Sequence, residues 1–171
     1  NRMQKNDSKQ GITTYTYDTG NFHQVKTVTD PRGNATTYYY DYDEATYGDK
    51  NADSVTNESY GNLVRIQYPN VTSPATQNDI YKYFQYVEYS GNKTGQLEGE
   101  FNELGVKTLY EYYTANDYPN GEVKYFLKKK TLDKGTGQDN LNLAYTYKYD
   151  KVGNLTAETD PDNVTTDYEV N

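Results

Sequence analysis

The sequence of 171 residues contains no cysteine, no tryptophan and a single histidine. The lack of cysteine excludes a disulfide framework, a thiolate metal site and a cysteine nucleophile. The lone histidine, His23, excludes a metal site built from several histidines, and no serine or aspartate stands at a recognisable triad spacing from it. We therefore expect that the protein is not an enzyme, and the sequence offers no catalytic residue.

Basic residues are also scarce, with 17 Lys+Arg against 25 Asp+Glu, a net charge of −8 and an isoelectric point of about 4.6. Proteins that bind nucleic acid carry a basic patch that neutralises phosphates, so this class of partner is excluded. No apolar run approaches the ~18 residues that a membrane-spanning helix needs. We expect neither nucleic-acid binding nor membrane insertion.

Leucine, isoleucine, valine and phenylalanine are few, which together with a sizeable net charge is typical of a disordered chain. The chain nevertheless has 22 tyrosines. A tyrosine ring buries a large apolar body while its hydroxyl stays hydrated. Tyrosine can therefore supply the core of a thin β-structure, although not that of a thick helical protein.

Two stretches of the sequence repeat the same motifs at the same spacing, one from Tyr15 to Asp41 and one from Tyr147 to Tyr168. Each contains a Tyr-x-Tyr-Asp motif, a Gly-Asn pair, a Thr-Asp-Pro motif and a second group of threonines and tyrosines. The same spacing marks degenerate copies around Leu63, Leu97 and Leu127. We count five copies, with insertions at 43–57, 71–79, 114–120 and 136–142.

The full pattern, Tyr-x-Tyr-Asp-x-x-Gly-Asn-Leu-x-x-x-Thr-Asp-Pro-x-Gly-x-x-Thr-x-Tyr, strongly resembles the YD-repeat, or Rhs-repeat, family over nearly the whole chain. The resemblance implies repeats that coil into a long spiralling β-sheet, as in Rhs proteins, toxin-complex C components, wall-associated proteins and teneurins. Four positions depart from the pattern: Asn163 in a glycine position, Val170 in a tyrosine position, and Tyr68 and Leu132 in aspartate positions.

The composition of each copy favours the same fold independently of the resemblance. Tyrosine, threonine and valine between the motifs favour strands, while Asp-x-x-Gly-Asn and Asp-Pro-x-Gly favour turns. Tyrosines at alternate positions share one face of a strand, and those of successive copies can form a ladder across the sheet. We assign Tyr81 and Tyr83 to the Tyr-x-Tyr motif of an intermediate copy. The structural repeat positions are Tyr15, Tyr17, Gly33, Tyr38, Tyr40, Gly105, Tyr110, Tyr112, Tyr147, Tyr149, Gly153 and Tyr168.

We predict an all-β protein, a β-solenoid or spiralling antiparallel sheet of about five strand-turn-strand repeats with essentially no helix. Residues 1–171 should form one repeat array. We expect this array to be a fragment of a longer chain.

The first insertion carries a candidate calcium site. Asp49, Asn51 and Asp53 place an oxygen ligand at every second residue, which is how a calcium loop begins. However, Ser54 stands where such a loop normally has glycine, and Tyr60 stands where it normally has glutamate. A solvated acidic loop is the competing interpretation, and calcium is the only cofactor that the sequence suggests.

Two functions remain open from the sequence. The first is a non-enzymatic structural module of a large secreted or cell-surface protein, acting as a β-sheet scaffold or, as the resemblance implies, as part of a shell around a toxin. The second is an adhesive or self-associating extracellular fibre module that binds glycan through exposed tyrosine rows. The expected partners are neighbouring repeats of the same polypeptide or copies of the chain, because free sheet edges pair readily.

Overall fold

The computed structural model describes residues 2–7, 11–20, 22–48, 60–69, 80–89, 92–114, 117 and 125–169. Within these ranges the chain is a succession of strands joined by turns and insertions. The strands are β1 (Arg2–Asp7), β2 (Gly11–Tyr17), β3 (Val25–Thr29), β4 (Ala35–Tyr40), β5 (Leu63–Gln67), β6 (Tyr81–Tyr89), β7 (Asn92–Phe101), β8 (Lys107–Tyr112), β9 (Leu127–Leu132), β10 (Leu143–Tyr149), β11 (Leu155–Thr159) and β12 (Thr165–Asp167).

The strands form a sheet whose hydrogen-bonded order is the order of the sequence, from β1 to β12. The pairings that the described residues define are antiparallel. Sequential antiparallel strands can be joined by tight turns, which is what the repeated Asp, Gly and Asn motifs supply. The prediction of an all-β antiparallel fold is confirmed.

Helix is almost absent from the described ranges. A 3₁₀ turn covers Asp41–Asp43, and one turn of α-helix, α1, covers Glu44–Tyr47. Both follow β4 directly, where the first predicted insertion begins. The prediction of essentially no helix is confirmed, and no helix in this part of the chain is long and apolar enough to cross a membrane.

The chain divides into two compact units. The first contains Asn1–Gln96 with Asn102–Gly105, and the second contains Leu97–Phe101 with Val106–Asn171. Strand β7 contributes residues to both. The assignment of residues 1–171 to one repeat array stays a prediction.

The core of each unit is thin. Tyr40 and Val64 are the buried apolar residues of the first unit, and Tyr113 and Ala157 those of the second, among the residues described. Most other strand residues are half-exposed, because a single sheet leaves both of its faces within reach of water unless a second layer covers one of them. The stability of such a sheet depends on contacts along the sheet from one strand to the next.

Candidate functional site: the repeat-stacking contacts

A β-bulge recurs at the second tyrosine of the Tyr-x-Tyr motif. The bulged pairs are Tyr17 with Val25, Tyr40 with Leu63, Tyr112 with Leu127 and Tyr149 with Leu155. The partner strand has one extra residue in each case, namely Lys26, Val64, Lys128 and Thr156. A bulge bends its strand and increases the local twist, so the chain is redirected at the same point of each of these repeats.

The residue after the second tyrosine of the motif closes a loop with the same backbone hydrogen bond each time. The N–H donors and carbonyl acceptors are Asp18 to Gln24, Asp41 to Asn62, Tyr113 to Phe126 and Asp150 to Asn154, all at 2.9 Å. The loops that these bonds close differ widely in length, since one of them contains the insertion 43–57. The insertions therefore leave the pairing of the flanking strands unchanged.

Aspartate carboxylates fix the turns between strands. Oδ1 of Asp30 accepts the backbone N–H groups two and four residues further on, and Oδ2 accepts the side-chain amide of Asn34, all at 2.8 Å. Asp150 makes the same three contacts at 2.9 Å, with Asn154 in the place of Asn34. The asparagine side chain lowers the pKa of both aspartates, because its hydrogen bond stabilises the carboxylate. Asp160 keeps the two backbone contacts at 2.9 Å.

These turns need a residue in the left-handed region. Gly33, Gly105 and Gly153 have φ of 88°, 76° and 96°, a region that glycine enters without a steric cost. Asn163, which departs from the sequence pattern, has φ of 62° and donates its N–H to the Asp160 carbonyl at 3.1 Å. Asparagine tolerates this conformation better than most residues, so the turn keeps its geometry without glycine.

In the turn after β9, the aspartate that fixes the turn is not at the position that motif spacing predicts. Leu132, in the predicted aspartate position, is the last residue of β9. Its neighbour Asp133, with φ of 52°, accepts the Leu141 N–H at 2.8 Å and the Asn140 side-chain amide at 3.0 Å. Counting five residues from Leu127 therefore placed the turn aspartate at Leu132, one residue before the carboxylate of Asp133 that fixes the turn.

Tyrosine hydroxyls bond to backbone carbonyls of the preceding strand. The hydroxyl of Tyr40 in β4 donates to the Val25 carbonyl in β3 at 2.9 Å, and that of Tyr112 in β8 donates to the Leu97 carbonyl in β7 at 2.7 Å. Burial raises the pKa of Tyr40 to about 12. Each of these hydroxyls satisfies a backbone carbonyl of the strand that precedes its own.

The corresponding tyrosine of β6 is Tyr86, and the assignment of Tyr81 and Tyr83 to this motif is wrong. The Tyr86 hydroxyl donates to the Leu63 carbonyl at 2.8 Å, and burial raises the pKa of Tyr86 to about 12. Tyr81 and Tyr83 pair with Gln67 and Arg65, which places them on the opposite face of the strand. Phe84 and Tyr86 occupy the motif positions, a spacing that the sequence also permits.

The first tyrosines of the motif do not form a direct cross-strand ladder. In the first unit Tyr15 lies opposite Val28, which lies opposite Thr36, two residues before Tyr38. In the second unit Tyr110 lies opposite Lys130, which lies opposite Tyr145, two residues before Tyr147. Equivalent tyrosines therefore share one face but lie on every second strand, displaced by two residues.

Tyr168, just beyond β12, occupies the last equivalent of this first-tyrosine position. Tyr147 lies opposite Glu158, which lies opposite Thr166, so Tyr168 is again displaced by two residues. The Tyr168 hydroxyl is 3.4 Å from a Glu158 carboxylate oxygen, and that of Tyr110 is 2.9 Å from a Glu100 carboxylate oxygen. The same displacement in both units gives the sheet a constant offset from repeat to repeat.

Aromatic rings pack against glycine at the turn edge of the sheet. Tyr42 stacks between Phe22 and Tyr40, with ring centroids 5.5 Å apart in both pairs. A Cβ atom on Gly61 would lie 3.0 Å from the Phe22 ring. These contacts join the turn before β3 to the one before β5.

The second unit contains an equivalent contact. Phe126 lies 5.1 Å from Tyr149 between ring centroids, and Tyr149 lies 6.3 Å from Tyr113. A Cβ atom on Gly153 would be 2.8 Å from the Phe126 ring. In both units a phenylalanine of one turn therefore fills the space that a glycine leaves in a later turn.

Buried carboxylates surround the loop after β4. Asp41 is fully buried, and its two oxygens accept four backbone N–H groups at 2.8 to 3.1 Å, from Tyr42, Tyr60, Gly61 and Asn62. Asp43 and Glu44 are buried beside it, and the Tyr42 hydroxyl donates to the Asp18 carboxylate. The aspartate of the Tyr-x-Tyr-Asp motif was the available signal, since Asp18, Asp41 and Asp150 all occupy it.

The candidate calcium ligands Asp49, Asn51 and Asp53 lie outside the described residues, so calcium binding stays a prediction. The part of the chain that the structure describes contains no group of three His, Cys, Asp or Glu side chains arranged to hold a metal ion. His23 lies in the turn before β3 with φ of 51° and is exposed.

Comparison with known proteins identifies the fold. No protein-family model and no curated protein matches the sequence. Solved structures do match. A chain of the crystal structure of TcdB2-TccC3-TEV superposes with a TM-score of 0.56 at 12% identity over 94% of this chain, and one of TcdB2-TccC3-Cdc42 with a TM-score of 0.53 at 21% identity over 87%. The chain has the fold of a segment of these chains.

A chain of the TcdB2-TccC3 structure gives the same result, with a TM-score of 0.53 at 20% identity over 87% of this chain. This chain spans only 6% to 7% of the length of those toxin-complex chains. The similarity therefore concerns the architecture of a short segment of them.

Proposed function

We propose that this chain is a non-enzymatic structural module of a secreted or cell-surface protein, and that its repeats form part of the wall of an encapsulating Rhs-type shell. The observation that carries the proposal is the recurring link between repeats. A bulge, a closed loop and a tyrosine hydroxyl bond to the preceding strand occur together at Tyr40 and again at Tyr112, so both sites tie the strands together in the same way. A sheet built in this way can be extended by adding repeats, as solenoid proteins are.

Two further observations support a wall rather than a binding domain. The thin sheet has two half-exposed faces, which is the form that a single-layer partition between two compartments requires. The fold is that of a segment of much longer toxin-complex chains. Membership of the YD-repeat family is part of this proposal, and neighbouring repeats of the same polypeptide are the partners that it implies.

Limited proteolysis and electron microscopy of the natural polypeptide that carries this sequence test the proposal. We expect a hollow particle that protects an enclosed segment from trypsin until the particle is denatured. A double substitution, Tyr40→Ala with Tyr112→Ala, should open the particle and abolish protection, because both links to the preceding repeat are lost. Leu104→Ala, at an exposed turn position, is the matched control. A filament with no protected segment would contradict the shell.

A cation–aromatic cluster favours the adhesive function as a second candidate. The Arg65 guanidinium carbon lies 3.4 Å from the ring centroid of Tyr81, 5.3 Å from that of Tyr39 and 5.7 Å from that of Tyr83. The register places these residues together on the face opposite Tyr38. Aromatic rings on a half-exposed face can stack on sugar rings.

Calorimetric titration with neutral oligosaccharides tests this second function. Tyr81→Ala should abolish binding if the cluster holds a glycan, whereas Tyr145→Ala, which changes a tyrosine outside the cluster, should leave the affinity unchanged. Equal affinity for the wild-type chain and Tyr81→Ala would remove the cluster as a glycan site.

A further inference from the structure

The guanidinium group of Arg65 has no hydrogen-bond acceptor and no carboxylate partner among the residues that the structure describes. Its Nε atom is buried, whereas its two terminal nitrogens are not, so these nitrogens face the solvent. A charged donor that is shielded from water and has no acceptor carries a free-energy cost. The chain has 25 acidic residues against 17 basic ones, so this arginine lacks a carboxylate although acidic residues are in excess.

Tyrosine rings fix the orientation of the guanidinium group. Its central carbon lies 3.4 Å from the ring centroid of Tyr81, while Tyr39 and Tyr83 lie opposite Arg65 on the two neighbouring strands. A side chain that is already held in place loses less conformational entropy when a ligand binds to it. A ring on the face of a guanidinium also leaves the edge open, and the edge is the part that donates to the two oxygens of a carboxylate.

Two other cations that lie over tyrosine rings do have a carboxylate. The Lys26 Nζ lies 5.0 Å from the centroid of the nearer ring and contacts Asp43. The Lys128 Nζ lies 5.5 Å from a ring centroid and contacts Asp117. Each of these cations therefore has both an aromatic ring and an acid as neighbours. Arg65 has the rings and lacks the acid, so a carboxylate supplied by a ligand completes the same arrangement.

The position of Arg65 in the sheet favours a sugar over a peptide as the source of that carboxylate. Strand β5 lies between β4 and β6 and pairs with both, so an extended peptide cannot add to it as a new strand. A sugar ring needs no backbone partner, because it stacks on aromatic side chains. The next residues on this face, Gln67 and the Thr37 that lies opposite it, are polar and uncharged, so they do not repel an anion.

We propose that Arg65 binds the carboxylate of an acidic sugar, so that the ligand of this cluster is a polysaccharide that contains uronic acid residues. The inference rests on the adhesive function and specifies the charge of its ligand. The two terminal nitrogens of Arg65 each donate one hydrogen bond to the carboxylate, and the rings of Tyr39 and Tyr83 contact the sugar. Because the attraction is between charges, binding weakens as the salt concentration rises.

Calorimetric titration with oligogalacturonate and with its methyl ester tests the proposal, because the ester keeps the sugar rings and loses the charge. The wild-type chain should bind the acid at least about tenfold more tightly than the ester, since hydrogen bonds between ionised groups are the strong ones. Arg65→Gln should lower the affinity for the acid to that for the ester. Arg65→Lys keeps the charge but loses the two-nitrogen fork, so its affinity should lie between the two.

Lys130→Gln is the matched control. Lys130 also lies over a tyrosine ring, 5.8 Å from the Tyr110 centroid, and forms no ion pair in the part of the chain that the structure describes. It has a single ring at a greater distance, and its Nζ is not buried. Its substitution should change the affinity for oligogalacturonate by less than about twofold. Circular dichroism of each variant checks that the sheet still forms.

Equal affinity of the wild-type chain for the acid and the ester would overturn the inference and leave the adhesive function standing. An absence of binding to the acid, the ester and neutral oligosaccharides would remove both. Arg65→Gln that binds the acid as tightly as the wild type, with an intact sheet, would also overturn the inference. Tetraglutamate that binds as tightly as oligogalacturonate would overturn the sugar as the ligand and indicate an acidic peptide.

Discussion

At the residue scale, a single carboxylate can accept several backbone hydrogen bonds, and Asp41 accepts four. Asp41→Ala leaves four backbone N–H groups without their acceptor in a buried loop. Hydrogen bonds to a charged group contribute about 1.5–3 kcal/mol, and unsatisfied donors add a penalty. We expect the free energy of unfolding to fall by at least about 3 kcal/mol, measured by urea denaturation.

Asp150→Ala is the control for this measurement. Asp150 fixes a similar turn, but its contacts are exposed, so water can replace the lost acceptor. We expect a smaller loss than for Asp41→Ala. Equal losses in the two variants would show that burial of Asp41 contributes nothing.

Glycine has two separable roles at this scale. Gly105 needs only a left-handed backbone, since no atom lies within 4 Å of a Cβ placed there, whereas Gly153 also faces the Phe126 ring at 2.8 Å. Gly105→Ala should cost about 1–2 kcal/mol. Gly153→Ala should cost about 1 kcal/mol more, because overpacking adds to the backbone strain.

A double-mutant cycle in urea separates the two roles of Gly153. In a Phe126→Leu background the additional cost of Gly153→Ala should shrink, since the shorter side chain removes the clash. An undiminished cost in that background would mean that the strain is in the backbone alone.

At the scale of the element, the tyrosine hydroxyl is what joins one strand pair to the next. Tyr40→Phe and Tyr112→Phe each remove one hydrogen bond to a carbonyl of the preceding strand while keeping the ring. Each should lower the free energy of unfolding by about 1 kcal/mol. Tyr145→Phe is the matched control and should change it by less than about 0.5 kcal/mol. Thermal denaturation that ranks the three variants equally would contradict the role of the hydroxyls.

Sequence reasoning reached the elements more reliably than it reached their contacts. The alternation of Tyr-Thr segments with Asp-Gly-Asn turns was sufficient for the strands, because both signals are local. Motif spacing could not choose between Tyr83 and Tyr86, since the pairing of β5 with β6 decides which face each occupies. The contact of Lys26 with Asp43 was out of reach for the same reason, because it depends on a bulge in a neighbouring strand.

For the whole molecule, the buried phenols predict a loss of stability at alkaline pH. Burial raises the pKa of Tyr40, Tyr86 and Tyr110 to about 12, above the ordinary value of 10.0. A group whose pKa is raised in the folded state favours folding below its unfolded pKa and loses this contribution as the pH rises through the folded value. The thermal midpoint should therefore hold up to about pH 10 and fall between about pH 10 and 12.

Absorbance of tyrosinate, recorded alongside the thermal midpoint, identifies the groups responsible. The wild type should show a late-titrating fraction that Tyr86→Phe reduces. A midpoint that stays constant up to pH 12, or a titration in which all tyrosines ionise together near pH 10, would contradict the assignment.

The backbone bond that closes the loop after the second tyrosine of the motif bears on how such chains can change. The bond is the same whether it spans 18–24 or 41–62, and each doubling of loop length costs only about 0.6 kcal/mol in closure entropy. A gene could therefore gain codons at these points with little loss of folding free energy. These loops can therefore accept inserted residues while the flanking strands keep their pairing, so that the surface of the protein can vary on an unchanged sheet.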